Sequence, residues 1–368
     1  MSLDRRQFVL ASLAFANCGK PKAGRIAAYV FVANEDDGSL AVIDLRRFRV
    51  LKKIPLDAAP SHVVGWPGAR RVFALTPHNG TIVEIDTDWL SVKRKLRVGG
   101  NLLGMRLSED AKSLWALRRD PHSLIEVRLD NLRTATQIRL PSAPNDFDMT
   151  VASAAISLPA MQAVAIVNIT TGKVDKIVQL GAEPRLVRFR RDGKQILTGN
   201  TAAGTITAID GRTGAVLVNL PLAVKPERFC FNNDGGQMFV TGAGSDAVAI
   251  VSPYQTQVSE TILAGPSPGN MAISTQPEYL FVANWQSGDM TVIDIATREV
   301  LAQIPVGQEP CEILITNDNQ YALVLNQKSG DVAVIRISTI GKRRTRTAPL
   351  FTLIPVGSKP VSGTIYAL

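Results

Sequence analysis

The chain has 368 residues, 45% of them hydrophobic and 20% charged, a balance that indicates a globular protein with a large core and excludes a disordered or fibrous chain. Its 28 glycines indicate many tight turns, and three cysteines are too few for a disulfide framework. A net charge of +9 favours anionic partners, such as a membrane surface, a polysaccharide or a nucleic acid, and carries no information about the fold.

Residues 1–24 are predicted to be an export signal and tether rather than part of the fold. Arg5 and Arg6 precede an apolar stretch, Phe8 to Ala16, which is much shorter than the roughly 20 residues of a membrane span. The sequence DRRQFV resembles a twin-arginine export signal, and Cys18 resembles the lipidated cysteine of a lipoprotein. We therefore expect a location in the periplasm or at the cell surface, with Cys18 as the lipidation candidate; an uncleaved N-terminus on a cytosolic protein is the alternative.

Residues 25–368 are predicted to form a single domain built from an internal repeat. Each copy contains a turn, usually with glycine, then a β-branched run that ends in Asp or a polar substitute. The last residues of successive copies are 42, 42, 40, 42, 42, 42 and 42 positions apart. They are Asp44, Asp86, Arg128, Asn168, Asp210, Ser252, Asp294 and Arg336.

Every period contains four short strands separated by turn residues. In the copy that ends at Asp294, the strands are predicted at 270–274, 279–283, 290–293 and 300–304. No gap leaves room for a ten-residue amphipathic helix, which excludes a parallel βαβ arrangement. Four strands repeated about every forty residues predict an all-β fold, a β-propeller of four-stranded antiparallel blades.

The two ends of the repeat predict how the ring closes. The first copy begins at Ala28 to Ala33 without its leading strand, and an additional strand, Pro360 to Tyr366, follows the last copy. We expect these two strands to pair, which gives eight blades. Seven blades are the alternative, because Ser157 to Pro159 replace the glycine turn in the fourth copy.

Several segments resemble the YVTN-type propeller repeat, among them YLFVANWQSGDMTVIDIATREVLAQIPVG and VKPERFCFNNDGGQMFVTGAGSDAVAIV. The resemblance covers almost the whole chain after residue 27. It implies the propeller fold and, often, an exported protein of the cell envelope, but no single activity. Members of that family usually have seven blades, so the count of eight departs from the family pattern.

Many of the residues that follow the proline, or its substitute, at the start of the innermost strands are polar or charged, where a packed core would require apolar side chains. Together with Trp285 in a loop on the same face, they are the predicted ligand-binding residues of the channel mouth. The arginines could clamp a carboxylate or phosphate, and the acids could bind a cation or amine. A water-filled channel with self-neutralising charges is the alternative. The residues are His62, Asp146, Arg185, Arg188, Glu227, Arg228, Asn270, Glu312 and Trp285.

The sequence assigns no catalytic residue, cofactor or metal site. It contains no Walker loop or Rossmann fingerprint, and its three histidines lack metal-binding spacing. Cys230 and Cys311 are expected to be unreactive. The basic stretch from Lys342 to Arg346 is interpreted as a solvated loop or a contact for anionic lipid, and the absence of interleaved aromatic residues argues against nucleic acid.

These observations favour a non-catalytic binding propeller of the cell envelope. Its partner would be a protein, a peptide or a small anionic ligand held over the channel mouth. The alternative is an enzyme that uses the same mouth, either a lactonase-like hydrolase or a cofactor-dependent redox protein.

Overall fold

The computed structural model describes residues 27–66, 71–341 and 348–367. Within these residues it forms eight antiparallel sheets of four strands, and each sheet is one blade of a ring. Blade 1 combines β1 (Ala28–Asn34), β2 (Ser39–Asp44) and β3 (Arg49–Pro55) with the C-terminal strand β32 (Pro360–Ala367). The eight-bladed propeller predicted from the repeat is confirmed.

The other seven blades are consecutive in the chain, each from its innermost to its outermost strand. Blade 2 has β4 (His62–Trp66), β5 (Arg71–Thr76), β6 (Thr81–Asp86) and β7 (Ser91–Arg97); blade 3 has β8 (Leu102–Leu107), β9 (Ser113–Arg118), β10 (Ser123–Arg128) and β11 (Arg133–Arg139). Blade 4 has β12 (Phe147–Met149), β13 (Ser153–Leu158), β14 (Ala163–Asn168) and β15 (Lys173–Gln179); blade 5 has β16 (Leu186–Phe189), β17 (Gln195–Asn200), β18 (Thr205–Asp210) and β19 (Val216–Pro221). Blade 6 has β20 (Arg228–Phe231), β21 (Met238–Thr241), β22 (Ala247–Ser252) and β23 (Gln257–Leu263); blade 7 has β24 (Pro268–Ile273), β25 (Tyr279–Asn284), β26 (Asp289–Asp294) and β27 (Val300–Pro305). Blade 8 has β28 (Pro310–Ile315), β29 (Tyr321–Asn326), β30 (Asp331–Arg336) and β31 (Leu350–Pro355).

The hydrophobic core lies between the blades. The two middle strands of each blade are buried on both faces, so they are almost continuously apolar instead of alternating. Phe31 of blade 1 packs with Val72 of blade 2, and Val30 of blade 1 packs with Leu323 of blade 8. Each blade is therefore stabilised by its neighbours, and the core continues across the seam between the first and last copies.

Pairing of the two chain ends closes the ring, as the sequence predicted. β32 is antiparallel to β1, from Ala28 opposite Ala367 to Asn34 opposite Pro360. The seam has further bonds, because the Glu35 N–H donates to the Lys359 carbonyl at 2.9 Å and the Lys359 ammonium pairs with the Glu35 carboxylate at 2.8 Å.

The irregular fourth copy forms a complete blade. Residues Pro159–Met161 make a short 3₁₀ turn, and Gln162 adopts the left-handed conformation with φ of 50° that glycine usually provides in the other copies. This turn joins β13 to β14 with six paired residues. The irregular sequence changes the type of turn and leaves the blade count at eight.

Where a repeat ends in Asp or Asn, that residue caps the turn into the outermost strand. Asp44 accepts a hydrogen bond from the Arg46 N–H at 2.8 Å, and Asp210 accepts bonds from the N–H groups of Arg212 and Thr213 at 3.0 and 2.6 Å. Asn168 does the same in blade 4. The periodic aspartate is therefore a structural Asx turn and not a ligand-binding residue.

Three predictions lie wholly or partly outside the described residues: the export signal of residues 1–24, its cysteine Cys18, and the basic stretch from Lys342 to Arg346. That stretch falls between β30 and β31. Among the residues that are described, no helix is long and apolar enough to cross a membrane.

Candidate functional site

The innermost strands surround the channel, and each has a hydrogen-bonded neighbour on one side only. Their free backbone N–H groups would remain unpaired without help from side chains. Asp146 accepts a bond from the Val187 N–H at 3.1 Å, and Glu312 accepts one from the Gly363 N–H at 2.7 Å. Polar side chains of one blade therefore cap the strand edge of the next, which explains part of the polarity of the channel mouth.

Four charged side chains form a cluster across blades 3, 4 and 5. The Arg188 guanidinium lies 2.5 Å from the Asp146 carboxylate, and Arg106 lies 3.9 Å from Asp146 and 3.7 Å from Asp148. Asp148 also accepts the Phe189 N–H at 2.8 Å. These two carboxylates neutralise the two arginines. This part of the mouth therefore fits the alternative predicted from the sequence, a channel whose charges neutralise one another.

His62 lies beside that cluster, at a polar cavity of about 170 Å³ that Arg106, Asp146 and Phe147 also line. Its Nδ1 is 2.8 Å from the Ser61 hydroxyl. Burial lowers the pKa of His62 below its usual 6.5, and the positive charge of Arg106 lowers it further. The imidazole is therefore neutral at pH 7 and can both donate and accept a hydrogen bond.

A larger depression of about 530 Å³ opens where blades 4, 5 and 6 meet. Three exposed cations line it: Arg185, Lys225 and Arg228. Arg185 pairs loosely with Glu183 at 3.8 Å, whereas the Arg228 guanidinium has no carboxylate partner among the described residues and donates only to the Glu227 carbonyl at 2.8 Å. The depression thus presents one open guanidinium fork next to two further cations.

The walls of the depression are held in place across blade boundaries. The Asn145 amide of blade 4 donates to the Arg185 carbonyl at 2.7 Å, and the Thr201 hydroxyl of blade 5 donates to the Pro226 carbonyl at 2.6 Å. These bonds fix the backbone that carries the arginines. A preorganised backbone reduces the entropy lost when a ligand binds.

The structure divides the predicted binding residues into three groups. Arg185, Glu227 and Arg228 line the depression, and His62 and Asp146 line the smaller cavity, where Arg188 contacts Asp146. The remaining three line neither space: Asn270 donates to the Cys311 carbonyl, Glu312 caps Gly363, and Trp285 lies 39% exposed in the turn between β25 and β26.

Sequence reasoning missed Lys225, Glu183 and Thr201 as wall residues of the depression. A signal for the first two was present, because each stands directly before the proline that precedes its innermost strand, in Lys225-Pro226 and Glu183-Pro184. Only the residues after the proline were considered. Thr201 comes from a different turn, and no local motif marks it.

Neither of the two cysteines in the described chain has the character of a nucleophile. Burial raises the pKa of Cys230 to about 12 and is the main cause of the same rise for Cys311, to which the Glu312 carboxylate adds. Both are thiols at neutral pH, in agreement with the sequence prediction.

Within residues 27–66, 71–341 and 348–367, no three His, Cys, Asp or Glu side chains are grouped so that they could hold a metal ion. His78 and His122 lie in separate turns, and the His122 ring contacts the Arg119 carbonyl.

Glu312 predicts a pH dependence of stability. Burial raises its pKa from 4.5 to about 7, although the Gly363 N–H opposes this rise. The folded state therefore holds a proton that the unfolded state releases, and stability falls as the pH rises from about 4.5 to about 7. Glu312→Gln keeps an acceptor for Gly363 and removes the charge, so we expect a gain of at most about 3 kcal/mol at pH 8 and almost none at pH 4.5.

Urea unfolding from pH 4.5 to 8 measures this difference in the free energy of unfolding. Glu109→Gln, in an exposed loop, is the matched control and should follow the wild type at every pH. Parallel curves for the wild type and Glu312→Gln would contradict the assignment.

Comparison with known proteins adds to this geometry. No protein-family model and no curated protein matches the sequence. Solved structures do match. One is titled Dihydro-heme d1 dehydrogenase NirN in complex with DHE; it has a TM-score of 0.75 and 16% identity, over 94% of this chain and 76% of that chain. The chain is an eight-bladed β-propeller.

Two other solved structures support the same fold. Apo AztD from Citrobacter koseri has a TM-score of 0.69 and 13% identity over 93% of this chain and 99% of that chain. Hydrazine synthase from Kuenenia stuttgartiensis has a TM-score of 0.61 and 16% identity over 76% of this chain and 96% of that chain. At these identities the propeller's likeness to its neighbours extends to the fold alone.

Proposed function

We propose that this propeller is a binding protein of the cell envelope whose ligand is a small anion held in the depression between blades 4, 5 and 6. The observation that carries the proposal is the open guanidinium of Arg228, with Arg185 and Lys225 around the same 530 Å³ space. A guanidinium without a carboxylate partner can form two parallel hydrogen bonds to a ligand carboxylate or phosphate.

The acids of the depression narrow the class of ligand. Glu183 and Glu227 lie among the three cations, so the wall carries a formal net charge of +1. This balance disfavours a polyanion. It favours a ligand with one carboxylate or phosphate and a hydroxyl or ammonium group that can face the acids.

We further propose that the chain is an exported member of the YVTN-type repeat proteins, with Cys18 as its lipid attachment point. The repeated motifs and the twin-arginine-like start support this proposal. Labelled palmitate supplied to the native host tests the attachment: the wild type should become labelled, and Cys18→Ser should not.

The double variant Arg185→Ala/Arg228→Ala tests the ligand site. Calorimetric titration with lactate, which has one carboxylate and one hydroxyl, and with inorganic phosphate should show binding by the wild type. We expect the double variant to lose at least tenfold in affinity, because a charge-assisted bidentate contact contributes at least about 1.4 kcal/mol.

The control variant removes the same charge elsewhere. Arg119 and Arg212 are exposed and lie outside the depression, so Arg119→Ala/Arg212→Ala should bind as the wild type does. Equal affinity in the two double variants would refute the clamp.

An enzyme that uses the mouth is the second candidate. The neutral imidazole of His62 beside Arg106 in a polar cavity favours it, and one structural neighbour is titled a dehydrogenase. Native mass spectrometry of the protein purified from its own envelope separates the candidates. A retained organic cofactor supports the enzyme, and a retained carboxylate, phosphate ester or peptide supports the binding protein.

A further inference from the structure

The outermost strands of three neighbouring blades are rich in lysine and arginine. β3, β7 and β11 of blades 1 to 3 contain 3, 4 and 2 Lys and Arg residues, nine in total, and no Asp or Glu. The outermost strands of blades 5 to 8, β19, β23, β27 and β31, contain no Lys or Arg. The outer edge of blades 1 to 3 is therefore basic, whereas the outermost strands of blades 5 to 8 carry no cation.

An exposed tryptophan lies within this basic side. Trp89, in the turn between β6 and β7, is 79% exposed, the largest fraction of any large hydrophobic residue that is described. The Lys52 ammonium of blade 1 donates to the Trp89 carbonyl at 3.3 Å, which joins the two blades at this point. We call the turns 45–48 and 87–90, together with β3, β7 and β11, the basic rim.

Part of the positive charge of the basic rim remains uncompensated, although the rim also contains the exposed Asp88 next to Trp89. Lys93 and Arg47 pair with Asp86 and Asp44 at 3.6 and 3.9 Å, and both acids also cap their own turns. Arg94, Lys95 and Lys53 also have acidic partners, Glu84, Asp57 and Asp37. Exposed cations without a carboxylate partner among the described residues are Arg46, Arg49, Lys52, Arg97, Arg133 and Arg139.

The described chain begins beside this surface. Ala28 starts β1, and its carbonyl accepts a bond from the Leu45 N–H at 3.1 Å, directly before Arg46 and Arg47. Residues 1–26 therefore join the domain next to the basic rim. The ten residues from Cys18 to Ala28 span at most about 35 Å, so a lipid on Cys18 would hold this side of the ring close to the bilayer.

We propose that the basic rim docks on the anionic surface of a lipid bilayer, with the Trp89 indole inserted at the headgroup level. Uncompensated lysines and arginines are attracted to anionic headgroups, and an exposed tryptophan is the side chain that the membrane interface favours. This inference is independent of the ligand site on the channel mouth.

Vesicle flotation with full-length protein carrying Cys18→Ser tests the proposal without an attached lipid. The unaltered rim should bind vesicles of equimolar phosphatidylglycerol and phosphatidylcholine, and added salt should release it. The triple variant Arg46→Gln/Arg49→Gln/Lys52→Gln should bind roughly a hundredfold more weakly, since each cation near an anionic surface contributes about fivefold. Both proteins keep the apolar N-terminal stretch, so its own membrane affinity cancels in the comparison.

A charge-matched control distinguishes the effect of the basic rim on vesicle binding from the effect of the protein's net charge. Arg119→Gln/Arg212→Gln/Lys328→Gln removes three exposed cations elsewhere and should reduce binding much less. Trp89→Phe should abolish the blue shift of tryptophan emission on vesicle addition. Circular dichroism confirms that each variant is folded.

Three results would overturn the proposal: equal vesicle binding by the two triple variants, an emission shift unchanged in Trp89→Phe, or binding of heparin without binding of anionic vesicles. The last result would assign the basic rim to a soluble polyanion.

Discussion

Truncation after Lys359 is expected to abolish cooperative folding. Residues 360–368 include β32, the innermost strand of blade 1, which pairs along the whole of β1. Its loss exposes an edge next to Val30 and Val32, which are fully buried, and removes the acceptor for the Val63 N–H at Ser362. We expect a loss of at least about 5 kcal/mol, comparable with the total stability of an ordinary domain. Thermal melting by circular dichroism and size-exclusion chromatography measure the outcome, with broad melting and oligomers expected.

A circular permutant is the matched control for this truncation. Ala367 lies directly opposite Ala28, so a short glycine linker can join them in a hairpin, with new ends placed between Ala58 and Ala59. Every blade then consists of consecutive strands. The permutant should melt cooperatively as a monomer. If the truncated protein also melts cooperatively as a monomer, β32 is not required to close the ring.

Asp146→Ala is expected to destabilise the channel wall by about 3 kcal/mol. The substitution leaves the Val187 N–H without its acceptor, and it leaves Arg188 without its carboxylate partner while Arg106 keeps only Asp148. Burial and the charge of Arg188 already lower the pKa of Arg106, which shows that the two guanidinium groups repel. This loss of stability is smaller than for a fully buried pair, because the side chains of Asp146 and Arg106 are 20% and 33% exposed.

Two comparisons test this explanation. Asp146→Asn keeps an oxygen for the Val187 N–H and loses the charge, so it should cost about half as much. Adding Arg188→Ala to Asp146→Ala should restore part of the loss, because the repulsion on Arg106 disappears. Chemical denaturation of the wild type, Asp146→Ala, Asp146→Asn, Arg188→Ala and the double variant measures these differences. A double variant less stable than Asp146→Ala by the full cost of Arg188→Ala would indicate that the two side chains act independently.

The fold could be predicted almost completely from the sequence, because a propeller repeats one local pattern of four strands and their connecting turns. A constant period fixes four strands per blade, and the additional strand at the C-terminus identifies the seam. What the period could not show is how the irregular turn at Pro159 is built. There Gln162 adopts a conformation that usually requires glycine.

The candidate site could be predicted only in part. Alignment on the proline found Arg185, Glu227 and Arg228, because equivalent positions of a repeat reach the same face. It could not show that Asp146 and Glu312 accept backbone N–H groups of the next blade, since that role depends on the spacing between blades and not on the local sequence. Trp89 was missed because a single aromatic residue in a turn has no periodic signal.

The turn caps have a consequence for how the chain can vary in length. Blades 3, 6 and 8 carry Arg128, Ser252 and Arg336 where other copies have a capping Asp or Asn. Lengthening a turn at these positions breaks no Asx bond, and the longest connection of this type, after Arg336, belongs to this set. The turns after Arg128 and Ser252 are therefore suitable places to insert foreign epitopes or affinity tags. An insertion after Asp86 or Asp210 would break two hydrogen bonds between the aspartate and the backbone of its turn.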